Sequence, residues 1–383
     1  METKKRYRDE IAEYFIKGLT EDPVEFIRGW NFSETGIPKN ASTEKAYKGI
    51  NRLYLKIIEN KLGYGDNRWL TFKQIKEKGY HLQNGAKGAK VEYFFPYDNK
   101  EKRWVSWEEY TPEAKINDGK YITDRYSIKQ KIYTVFNAAF IDGIEEKKVD
   151  YIQNMINEDE VIKKISKGIG VEIIESRNSK AAFYSPSEDY IKIPEKEQFK
   201  TQGNYVSTAL HELAHATGHK DRLNRSQEGK FGSKKYAFEE LIAEITSSFM
   251  GEYIKEPISD EILDNHKAYI QSWAKGIKDN KNFLFKAIKE AEIASDYMIE
   301  KGHLIEYIDE FEIIENNSTP VYMIDADKAQ KIRDYAAEKG ICRLNPLQQN
   351  AVNGTVKDLK ILREAAKKKE LEFSFSKDEE LEV

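Results

Sequence analysis

A chain of 383 residues with 33% charged and 39% apolar side chains is long enough for two or three domains and polar but foldable. Its single cysteine, Cys342, excludes an internal disulfide and fits a reducing compartment. No apolar run nears membrane-spanning length, and residues 1–17 are charged and amphipathic rather than signal-like, so the expectation is a cytoplasmic protein with no membrane partner.

The net charge of −4 conceals an asymmetry. Residues 1–148 hold 28 Lys/Arg and 23 Asp/Glu, a net of +5, which leaves −9 for the rest. Within 39–90, twelve basic residues face four acidic ones, a local +8 of the kind that tracks phosphates. Trp30, Trp69, Trp104 and Trp107 lie in the same part of the chain. Exposed rings among cations suit single-stranded nucleic acid, because unpaired bases stack on the rings while the cations follow the backbone. Any one ring can equally be core, and a lysine run can be a solvated face.

In chain order, helices are predicted over 6–17, over a short stretch from Pro23 to Arg28, and over 49–62, where Gly63 breaks the pattern. Thr71 opens another short helix that ends at Gly79. Gly85 to Lys90 is a basic turn feeding a strand at 91–95, and 132–137 is a returning strand, so the first 148 residues read as α+β. Residues 144–150 are charged, unpatterned and linker-like. A helix over 151–167 precedes three short strands at 171–174, 181–184 and 190–193, the last a candidate edge for an extended peptide. Helices follow at 234–254, 259–279 and 281–299. The tail, 301–383, is a small α/β extension with strands near 304–308 and 321–324 and helices from Ala326 and Thr355.

The chemistry centres on His211-Glu212-Leu213-Ala214-His215. Histidines four apart share one helix face and can offer two imidazoles to one ion. Glu212, one step round, is placed as a general base on a water at that ion without being a ligand. The apolar run before His211 suits a buried helix rather than a charged surface one. A catalytic zinc takes three protein ligands and keeps one open position, so a third ligand is required.

Downstream, Phe238, Leu241, Ile242, Ile245 and Phe249 mark an amphipathic helix that carries Glu239, Glu240 and Glu244. The pair Glu240/Glu244 resembles the gluzincin arrangement, which implies Glu240 as the third metal ligand and Glu244 as the carboxylate orienting a ligand histidine. Asp221 and His219 remain rival third ligands, and the three glutamates can also be read as a solvated face.

Together these stretches resemble the ArdC-type antirestriction proteins of plasmids and other mobile elements. The resemblance spans about 30–300 and rests on separated motifs in one order: Tyr47-Lys48-Gly49-Ile50-Asn51-Arg52-Leu53, Trp69 to Gln74, Gly85 to Gly88, Val135-Phe136-Asn137, His211 to His219, Arg222-Leu223-Asn224-Arg225 and Tyr236 to Glu244. Ala216 stands where that family often has tryptophan. The resemblance implies an N-terminal α+β single-stranded-DNA-binding domain (1–148), a zincin-like metallopeptidase domain with bound Zn2+ (149–300) and an extension (301–383) that it does not cover. The candidate DNA contacts are Tyr47, Lys48, Asn51, Arg52, Trp69, Lys73, Lys87 and Lys90, with Trp69 and then Tyr47 as stacking rings. The implied activity is protection of incoming DNA, as in plasmid conjugation, with an unidentified protein as peptidase substrate. The alternative is a purely DNA-binding protein whose metal is structural. A nuclease fits less well, since a His-Glu-His helix suits peptide hydrolysis better than two-metal phosphoryl chemistry.

Overall fold

In the computed structural model, the residues described are 6–30, 35–107, 109–110, 116–117, 120–121, 125–147, 157–227, 233–254, 260–306, 322–323 and 351–352. The chain forms two compact units: Met1–Lys148 with Ile173–Ser295, and Val149–Glu172 with Asp296–Val383.

The first unit begins with α1 (Tyr7–Glu21), which buries Ile11, Phe15 and Leu19 at four-residue spacing. It runs one turn beyond the predicted end. Next come α2 (Pro23–Arg28), with proline in its first turn, β1 (Lys39–Asn40) and α3 (Gly49–Leu62). Then follow β2 (Arg68–Thr71), α4 (Phe72–Glu77), β3 (His81–Leu82), β4 (Ala89–Asp98) and β5 (Arg103–Trp104). A capping box between Thr71 and Gln74 starts α4, as the sequence predicts. After the short antiparallel pair β6 (Ile116–Asn117) and β7 (Lys120–Tyr121) come β8 (Tyr126–Asn137) and β9 (Ile141–Asp142).

The main sheet has the order β1-β2-β8-β4-β5. The β4–β8 pair is longer than predicted, ten residues in full antiparallel register from Ala89↔Val135 to Asp98↔Tyr126. Strand alternation puts Trp69, Ala89, Val91 and Val135 on one face, where they pack with Leu55 of α3. Leu70 lies on the other face, clustered with Ile75 and Ile141.

Packing does not pause at residue 148. One core joins α1 to α3 with α7 (Lys234–Ile254), α8 (Asp260–Asp279) and the start of α9 (Asn282–Lys301). In it Phe15, Trp30 and Leu53 meet Leu241, Phe249 and Trp273. Inside this core Glu252 of α7 takes two cations from α3: Lys56 at 2.6 Å and Arg52 at 2.5 Å.

The rest of the first unit is a three-stranded sheet and α6 (Gln202–Ala216). The strands are β10 (Glu172–Glu175), β11 (Phe183–Ser185) and β12 (Tyr190–Ile193), in the order β10-β12-β11. The segment 190–193 is therefore the middle strand, not an edge. Both of its sides are already hydrogen-bonded, and the free edges belong to β10 and β11.

In the second unit α5 (Glu158–Ile169) starts at Asn157, whose side chain accepts from the Glu160 amide. Gly168 brings it against the end of α9, since a Cβ there would lie 1.9 Å from the Lys301 carbonyl. Residues 304–306 are helical rather than strand-like. In the tail β13 (Tyr322–Met323) pairs with β14 (Ala351–Val352). The predicted helix segment 151–156, Cys342 and the helices expected from Ala326 and Thr355 lie outside the described residues.

Candidate metal centre

Thr201 caps α6 by accepting from the Asn204 amide, and the helix then buries Val206, Leu210 and Leu213 beneath its histidine face. His211 and His215 stack one turn apart, with ring centroids 4.8 Å apart and Nε2 atoms 3.2 Å apart. Helix α7 supplies the third group. Glu240 sets one oxygen 3.6 Å from the Nε2 of His211 and the other 3.6 Å from the Nε2 of His215. The three ligand atoms lie within 4.8 Å of one another, and His211, His215 and Glu240 are the one such group among the described residues.

The zincin class implies a metal here, and this triangle fits one. Donors bound at 2.0–2.2 Å around a tetrahedral ion are separated by about 3.3 Å, close to the spacings found. The outward ring nitrogens are held as well. The Nδ1 of His211 lies 3.6 Å from Glu244, and the Nδ1 of His215 lies 3.4 Å from Glu239. Carboxylates in those positions can orient ligand imidazoles, and both Nε2 atoms face Glu240. Burial works against charge on His211, but Glu240 and Glu244 outweigh it and raise its pKa well above the ordinary imidazole value. Burial likewise opposes ionisation of Glu240, yet the histidines and the Tyr236 hydroxyl lower its pKa to about 2. A cation entering there would compete with the proton on His211. Glu212 is buried on the same helix, next to His211.

The loop after α6 completes the site. Arg225 reaches back with its guanidinium 2.7 and 3.1 Å from the two oxygens of Glu239, and it also donates to the Ala214 carbonyl and the Thr217 hydroxyl. Burial raises the Glu239 pKa, but bonds from His215 and Arg225 more than offset that and hold the carboxylate ionised. Gly218 permits this approach: a Cβ there would meet Gln227 at 2.7 Å and Arg225 at 3.1 Å. The helix itself ends earlier, at Ala216. Asp221 stands apart from the triangle, its side chain 76% exposed and 3.6 Å from the Nδ1 of His219. Sequence reasoning missed Glu239, Arg225 and Tyr236. Glu239 was visible only as one of three glutamates, and the role of Arg225 depends on a loop whose path no periodicity reveals.

The candidate DNA contacts are dispersed. Trp69 is fully buried and its indole donates to Glu59, so it is a core residue rather than a stacking ring. Arg52 is buried on Glu252 and cannot reach a phosphate. Asn51 clamps α3 to β4, donating to the Glu92 carbonyl at 2.7 Å and accepting from its amide at 2.9 Å. Tyr47 is half-buried against the Trp69 cluster. Lys48, Lys73, Lys87 and Lys90 are exposed, though Lys73 pairs with Glu77 and Lys90 with Glu10. Of the twelve basic residues in 39–90, Arg52 and Lys56 are buried on Glu252, so the basic stretch does not form one DNA-facing surface.

Compared with known proteins, residues 160–290 match the zincin-like metallopeptidase family model and residues 5–136 match that of the N-terminal domain of anti-restriction factor ArdC. The fold and site thus define a zincin-like metallopeptidase domain preceded by an ArdC-type domain. Solved structures of the antirestriction protein ArdC from plasmid R388, one metal-free and one with Mn(II) bound, superpose with TM-scores of 0.61 and 0.60 at 29% identity. Each covers 78% of this chain and 98% of the R388 chain. The chain is thus similar in both of its matched parts to the ArdC-type antirestriction proteins. It is also 34% identical over 318 residues to a DNA primase TraC of Escherichia coli; the match covers 78% of this chain but only 20% of that relative's length. No described helix is long and apolar enough to cross a membrane.

Proposed function

We propose that this protein binds single-stranded DNA through its ArdC-type part (1–148) and hydrolyses peptide bonds at the centre held by His211, His215 and Glu240 in the zincin-like part (149–300). It would thereby protect DNA entering a cell on a mobile element, in the cytoplasm, from host restriction. The observation that carries the catalytic reading is the pairing of a three-donor triangle with a buried glutamate at the position next to the first histidine. A purely structural ion has no use for such a base.

An ion held there by His211, His215 and Glu240, zinc by our reading, would supply Lewis-acid polarisation of a carbonyl and bring the pKa of a water toward 7. The chain's own residues do the rest. The Glu212 carboxylate takes the proton of the attacking water and returns it to the leaving nitrogen. Glu239 and Glu244 hold the imidazoles in register. Two imidazoles and a carboxylate also accept manganese, so the test compares both ions. Purified protein is titrated with Zn(II) and Mn(II) and screened for cleavage of host proteins with and without single-stranded DNA. Stoichiometric binding and metal-dependent cleavage support the reading. Metal binding with no cleavage under either condition would leave a DNA-binding protective protein whose ion is structural.

A further inference from the structure

Strand alternation gathers aromatic rings and cations on the outer end of the main sheet. Tyr93, Phe95 and Tyr97 share the face of β4 that α3 covers only near Ala89 and Val91. Trp104 of β5 pairs with Tyr97, while Lys131 and Lys129 of β8 oppose Tyr93 and Phe95, so all six side chains lie on this face. The rings form a contiguous strip: centroids are 4.3 Å apart for Tyr93–Phe95, 5.5 Å for Phe95–Trp104 and 5.2 Å for Tyr97–Trp104. Tyr93 remains 50% and Trp104 40% exposed. The Lys129 ammonium lies 2.9 Å over Tyr97, and that of Lys131 lies 4.0 Å over Trp104. Among the described residues no carboxylate forms an ion pair with either lysine. In the 39–90 stretch, by contrast, Lys39, Arg52, Lys56, Arg68, Lys73 and Lys90 are all ion-paired.

Resting on the DNA-binding reading above, we propose that this strip is where single-stranded DNA docks. Cations parked on rings are the arrangement a polyanion bearing flat bases exploits: the base takes the ring face and the ammonium swings to the phosphate. Neighbouring ring centroids in the strip stand 4.3–5.5 Å apart, wider than the roughly 3.4 Å step of a duplex. A base per ring therefore requires an extended single strand, and stacked duplex bases offer no free faces.

The test uses the full chain and a fluorescent oligothymidylate, followed by anisotropy over a range of salt concentrations. Trp104→Ala and Tyr93→Ala each weaken binding roughly 5- to 150-fold with the salt slope unchanged. Lys129→Gln with Lys131→Gln flattens that slope by about 1.4, at about 0.7 per phosphate. Lys73→Gln with Lys87→Gln leaves binding near wild type. Thermal melting confirms that each variant is folded, and none of the substituted side chains is buried. Strip variants that bind like wild type while the Lys73/Lys87 variant fails would overturn the proposal. Polyglutamate displacing the oligonucleotide equally well would overturn it in favour of an acidic peptide. Absence of binding by the wild-type chain at low salt would instead defeat the DNA-binding reading itself.

Discussion

Lys56 and Glu252 form an ion pair at 2.6 Å from which water is wholly excluded, both side chains being 0% exposed. They are 196 positions apart and join α3 of the ArdC-type part to α7, the helix that carries Glu239, Glu240 and Glu244. Arg52 completes the cluster from the same helix as Lys56, donating to Glu252 at 2.8 Å and lying over the Phe249 ring. Helices of the ArdC-type part and the helix that carries Glu240 thus share one core.

Removing one member of a buried pair strands its partner without water, which costs about 3–5 kcal/mol. Glu252→Gln, which strands two cations, should lower the denaturant midpoint more than Lys56→Met, which leaves the Arg52–Glu252 pair in place. Chemical denaturation of the full chain checks the order of the two losses.

Glu59 sets a pH dependence. Burial, reinforced by Glu252, raises its pKa to about 8 despite the Trp69 indole bond. Between the unfolded carboxylate range and that value, the folded state keeps a proton that the unfolded state has released. The stabilising contribution is therefore complete below the unfolded pKa and is lost as pH rises toward 8, with a slope of at most about 1.4 kcal/mol per pH unit. Glu59→Gln retains an oxygen for Trp69 and should flatten stability between pH 5 and 8. Urea midpoints measured across that window, if unchanged in slope by the substitution, would show that Glu59 ionises normally.

The helices of the zincin-like part and the side chains of its candidate metal triangle were legible because helical spacing is written into the sequence: His211 with His215 and Glu240 with Glu244 are each four apart. That α7 meets α6 along these faces is a tertiary fact, supplied to sequence reasoning by the gluzincin resemblance. Trp69 was misread because alternation says that a strand residue faces one side, not which side α3 covers. Arg52 was misread because its partner, Glu252, lies 200 residues away. Segment 190–193 is alternating and apolar in a way that does not distinguish a central strand from an edge.

Arg225 acts on the site through Glu239. Outer partners of ligand histidines typically contribute 10- to 100-fold to metal affinity. Arg225→Met should weaken Zn(II) or Mn(II) binding by roughly that factor, whereas Arg225→Lys, which keeps the charge, should recover part of it. Competition titration against a chelator reads the affinity without reference to activity.

The third ligand separates two site geometries. Glu240→Ala should remove stoichiometric metal, as should His211→Ala and His215→Ala, because two donors hold an ion poorly against water. Asp221→Ala should bind as wild type, given how exposed and distant from the triangle that side chain is. Metal that survives Glu240→Ala and vanishes in Asp221→Ala would reassign the centre.

Glu212→Gln bears most directly on the central claim, that the centre is a working peptidase site. The amide keeps the size of the side chain and a hydrogen-bonding oxygen but cannot accept the water's proton. Metal content and cleavage of a substrate protein are measured on the same preparation. The account predicts full metal occupancy with hydrolysis reduced about 10²- to 10⁴-fold; hydrolysis undiminished at full occupancy would contradict it.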